Sequence, residues 1–74
     1  MITLANIREK LIDAINNSGM KQIEIATKLG IKQSVVSDYL SGKKMPALDT
    51  FANLCKILDV DSADILCIND NDNK

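Results

Sequence analysis

Residues 22–40, QIEIATKLGIKQSVVSDYL, are the stretch whose reading decides the fold. Ile25, Ala26 and Leu29 recur at the three- and four-residue spacing that gathers side chains on one helix face, so a helix is expected from Gln22 to Leu29. A second is expected from Gln33 to Leu40. Gly30 stands between them, and glycine takes positive φ without steric penalty, which lets the chain turn sharply from one helix into the next. Ala26 is small enough for the two axes to approach closely, while Ile31, Val36 and Tyr39 point back toward the junction. Gln33, Ser34, Val35, Ser37 and Asp38 are left outward, on a face that is polar and short-chained.

In this register the segment 22–41 resembles the helix-turn-helix of the lambda-repressor-like, or Xre, family of transcriptional regulators. Counting from Gln22, the small residue falls at the fifth place (Ala26), glycine at the ninth (Gly30) and an apolar residue at the fifteenth (Val36). Ile25, Leu29, Ile31 and Tyr39 fill the fourth, eighth, tenth and eighteenth places, and SGKKMP follows. A bare pair of helices would say little, because αα-hairpins are common; the type-matched positions in register carry the resemblance. It spans roughly Ile7 to Leu66 and implies an all-α, compact five-helix domain. One domain over residues 1–68 is expected, with residues 69–74 as a polar tail.

The rest of the chain agrees with a small binding domain better than with an enzyme. Seventy-four residues permit one core and leave little room for an enclosed active site. Histidine is absent. Cys55 and Cys67 lack the spacing of a zinc site and read as small buried hydrophobes, with a disulfide or a redox switch as the alternative. No catalytic residue, metal or cofactor is expected. No apolar run is long enough for a membrane span and no secretory pattern opens the chain, so a cytoplasmic location without membrane contact is expected.

The net charge of −1 runs against a nucleic-acid partner, yet its distribution does not. Residues 1–56 hold eight Lys or Arg against five acids, a net +3, whereas residues 57–74 hold five Asp and one Lys, a net −4. The field around the helix pair is therefore mildly positive.

Flanking the pair, Leu4, Ile7, Leu11, Ala14 and Ile15 predict an amphipathic helix over about 3–16 with Thr3 as its N-cap. After Pro46, a helix is expected over 48–58, with Leu48, Phe51, Ala52, Leu54, Cys55 and Leu58 as a wide buried face and Phe51 as core anchor. Asp61 is the expected N-cap of a last short helix, whose Ala63, Ile65, Leu66 and Ile68 close the domain or meet a second copy.

The resemblance implies that the helix from Gln33 enters the major groove of double-stranded DNA, about 12 Å wide, and reads base edges. Gln33 matches adenine N6 and N7 with one donor and one acceptor; Ser34 serves either role; Val35 packs on a thymine methyl. Ser37 and Asp38 follow one turn later. Asp38 either accepts from cytosine N4 or pairs with a lysine, and the lysine pair is favoured because phosphates repel a carboxylate. Gln22 is expected on a phosphate at a helix N-terminus, where free N–H groups and the helix dipole suit an anion. Lys43 and Lys44, after Gly42, are expected on phosphates, as is Lys32, with a guanine edge as its alternative. A repressor occupying a two-half-site operator as a homodimer is the implied function. The alternative is an antitoxin or other regulatory module on the same fold, holding a toxin or another protein partner.

Three positions depart from the family pattern. Leu40 stands where a glutamate commonly pairs with a basic residue of the first helix, so an ion pair with Arg8 is replaced by apolar contact. Lys32 and Ala47 replace the usual Ser or Thr caps, at a cost of about 0.5 to 2 kcal/mol each.

Overall fold

Thr3 starts the first helix by the chemistry its hydroxyl offers: Oγ1 accepts from the Asn6 N–H at 3.2 Å. In the computed structural model, which describes residues 1–68, that helix is α1, Leu4–Asn17. It is followed by α2, Gln22–Leu29, α3, Gln33–Ser41, α4, Leu48–Leu58, and α5, Ser62–Ile65. Among the described residues there is no strand, and the architecture is all-α. The polar tail expected over 69–74 lies outside the described residues.

Element boundaries follow from local chemistry. Ser18 stops α1 by donating from its hydroxyl to the Ile15 carbonyl (2.7 Å) and accepting from the Met20 N–H (3.0 Å). Gly30 has φ 73°, and its N–H bonds to the Thr27 carbonyl while the next N–H, of Ile31, reaches back to Ala26 at 3.0 Å. These two bonds satisfy carbonyls that a helix end leaves free. The same pair of bonds closes α3 at Gly42 and α4 at Asp59, where an aspartate holds φ 57° in place of glycine. Asp61 caps α5 as expected, accepting from the Ala63 N–H at 3.0 Å.

The core takes residues from every helix: Leu11 and Ile15 from α1, Ile25 and Ala26 from α2, Val36 from α3, Phe51, Leu54, Cys55 and Leu58 from α4, and Ile65 from α5. Helix α2 packs on α3 and α4, and α1 packs on α5, so the short last helix holds the first in place.

Two expectations need correction. Leu48 and Ala52 do not belong to the buried face of α4: Leu48 is 86% exposed, because its position in the first turn lies beyond the reach of the other helices. Together with Phe51, Cys55 and Leu66 they line an open groove between α4 and α5, bordered by Lys56, Asp59 and Asp61. Cys67 is only half-buried and sits at φ 64°, while Cys55 is in the core; both are free thiols.

Candidate nucleic-acid interface

Val36 and Tyr39 anchor α3 in the protein with Leu40 partly buried beside them, which turns its polar residues outward. Gln33, Ser34 and Ser37 are exposed, Val35 and Asp38 half-buried. These are the five residues singled out for base reading, and one helix presents them all. Val35 shows only part of its side chain, so its surface is narrower than the polar residues around it.

Gln22, the first residue of α2, is half-buried and shares a cleft with Gln33. The turn at Gly30 brings the two glutamines together although eleven positions separate them. Lys21 stands on the same cleft and was not singled out in the sequence; its place directly before the helix start was the available signal. Neither Lys21 at the start of α2 nor Lys32 at the start of α3 caps its helix with a side chain, so the first N–H groups lack that partner in both. Two helix starts with uncapped donors and a lysine beside each form a surface suited to anions.

Beyond α3, Lys43 and Lys44 are exposed. Their loop is organised by one carbonyl: the N–H groups of Lys43 and Lys44 both donate to the Asp38 carbonyl oxygen, at 3.0 and 3.3 Å, and the Ser41 hydroxyl donates to it at 3.2 Å. The Asp38 carboxylate lies 3.9 Å from Lys44 Nζ, which is the lysine pairing expected for it.

Leu40 is partly buried against the core and lines the Gln22–Gln33 cleft together with Ile15 of α1. Leu40 thus packs against the apolar core where an ion pair would stand, and the Arg8 stem lies beside Gly42.

This constellation of two helices at a glycine turn, an outward polar face and a basic loop coincides with a helix-turn-helix family model that matches residues 11–65. The chain belongs to the lambda-repressor-like, Xre-type helix-turn-helix family. Searches of curated proteins and of solved structures give no match. As an Xre-type domain the chain is a DNA-binding helix-turn-helix regulator. Among the described residues, no group of three or more His, Cys, Asp or Glu is placed to hold a metal ion. No described helix is long and apolar enough to cross a membrane.

Proposed function

We propose that the chain is a sequence-specific repressor that binds a double-stranded operator and reads the major groove with α3. The observation that carries this reading is the exposure of Gln33, Ser34 and Ser37 on a helix whose opposite side is buried, with Gln22 on the adjoining cleft. Gln33 reads adenine through its amide, Ser34 and Ser37 bond to base edges, and Val35 meets a thymine methyl. Asp38 sits at the edge of this set, where its pairing with Lys44 holds the carboxylate back from phosphate. Gln22, Lys32, Lys43 and Lys44 take phosphates and fix the register of the reading helix without carrying sequence information themselves. Repression follows by occupancy, since a bound domain blocks the DNA it covers.

The operator is taken as two half-sites bound by a homodimer, the geometry that symmetric helix-turn-helix proteins share. Support comes from the groove beside α4, where Leu48 and Ala52 form an uncovered apolar stripe. Lys56, Asp59 and Asp61 line the same groove, so charges of both signs are on hand to pair across a symmetric contact. Sedimentation of the full chain and of Leu48→Glu tests the dimer: the variant is expected to be the lighter species.

Selection of bound sequences from a random duplex pool, at two salt concentrations, tests the reading. A consensus that survives at the higher salt and relaxes at an adenine on Gln33→Ala is the expected result. Recovery of no consensus at either salt refutes it and turns attention to a protein-binding role.

A further inference from the structure

Arg8 is the single arginine of the chain, and its position is unusual for a surface cation. Its stem lies across Gly42: a Cβ built on that glycine would stand 3.3 Å from Arg8 Cδ and 3.6 Å from Nε. The Nε atom is buried and has no hydrogen-bond partner. Among the described residues, Arg8 makes no ion pair, and Asp38, on the helix that ends at Gly42, faces Lys44. Leu40 offers it no acceptor. The stem therefore lies against Gly42, and among the described residues the charge has no acidic partner.

We propose that Arg8 is a further phosphate-contacting residue of the DNA interface, its guanidinium meeting the same stretch of backbone as Lys43. This rests on the DNA-binding reading above. Gly42 precedes Lys43 directly, so the arginine is brought from α1 to the foot of the lysine loop by contact with the one residue there that has no side chain. Guanidinium is the side-chain cation best matched to phosphate, because its planar fork donates to two oxygens at once. Holding the stem beforehand removes part of the rotamer entropy that a free lysine loses on contact. A purely structural role is the competing account, with the cation favoured by the negative end of α3. The two differ in whether removing the charge alters the dependence of binding on salt.

The test uses the full chain and a fluorescent duplex of mixed sequence, followed by anisotropy between about 50 and 200 mM salt. Each neutralised phosphate adds about −0.9 to the slope of log K against log salt. Arg8→Gln is expected to reduce the slope's magnitude by about 0.9, and Arg8→Lys to retain it. Lys43→Ala reports on the underlying reading. A wild-type slope in Arg8→Gln, beside a reduced one in Lys43→Ala, overturns the Arg8 assignment and leaves DNA binding in place; binding that is absent or indifferent to salt in the wild type overturns both. Should Arg8→Gln fail to fold, the wild-type chain decides. Its single arginine Nε–H resonance is expected to shift on titration with the duplex, and an unmoved resonance at saturation rejects the assignment.

Discussion

Asp38 holds Lys44 twice, through a carboxylate 3.9 Å from the ammonium and through a carbonyl that accepts the lysine's own backbone N–H at 3.3 Å. The carbonyl contact shapes the loop, and the carboxylate occupies a cation that faces the proposed phosphate track. Asp38→Asn keeps the first and removes the second. It is expected to tighten binding to duplex DNA of any sequence and to steepen its salt dependence. The stability change should stay within about 1 kcal/mol, since a long, solvent-accessible ion pair contributes little. Filter binding at low salt, compared with a urea melt, separates the two effects; unchanged affinity would count against Lys44 as a phosphate contact.

Gly30 and Gly42 share one requirement, a left-handed backbone, and Gly42 adds a second. At Gly30 (φ 73°) a Cβ would meet nothing within 4 Å, so Gly30→Ala is strained only through its left-handed backbone, at about 1 to 2 kcal/mol. At Gly42 (φ 83°) the same strain is joined by Arg8 Cδ at 3.3 Å, and Gly42→Ala is expected to be the more destabilising. Asp59→Gly runs the other way, relieving a side chain held at φ 57°, and should raise stability by a few tenths to about 1 kcal/mol. Urea midpoints of the three variants check the order.

Along α4, Leu54 and Leu48 separate burial from hydrophobicity. Leu54 is 0% exposed, and Leu54→Ala is expected to cost about 2 to 5 kcal/mol. Leu48→Ala should change the stability of the dilute chain by less than about 0.5 kcal/mol. Thermal melts at low protein concentration make the comparison, and a large loss at Leu48 would mean that it is covered in solution.

Stability should be flat through neutrality and fall in alkali. There is no histidine to titrate near pH 7. Burial, with Asp61 adding to it, pushes the Cys55 thiol up from its ordinary value, and burial followed by Asp49 does the same to the Tyr39 phenol. In both cases the unfolded chain loses its proton first as pH rises, so it binds fewer protons than the folded one and stability declines. The contribution is intact below the ordinary thiol and phenol values, about 8.5 and 10, and is lost as pH passes through the raised ones. Denaturant midpoints at neutral and alkaline pH measure it; Cys55→Ser and Tyr39→Phe show which group is responsible.

The sequence by itself determined the order of the helices, the turn at Gly30 and the outward face of α3. Each is local: apolar spacing within one helix, a glycine whose backbone reaches positive φ, and polar residues between buried ones suffice to specify it. The bounds of α2 and α4 were legible for the same reason, as were the caps at Thr3 and Asp61. Only tertiary structure decided which apolar residues are covered, because burial depends on whether another helix arrives overhead. Leu48 and Leu54 are the same side chain on one helix, and nothing local distinguishes the exposed leucine from the buried one. Arg8 is the sharper case: its stem meets Gly42 across more than thirty residues of chain, a juxtaposition that exists only after α1 and α3 have been packed into a common core.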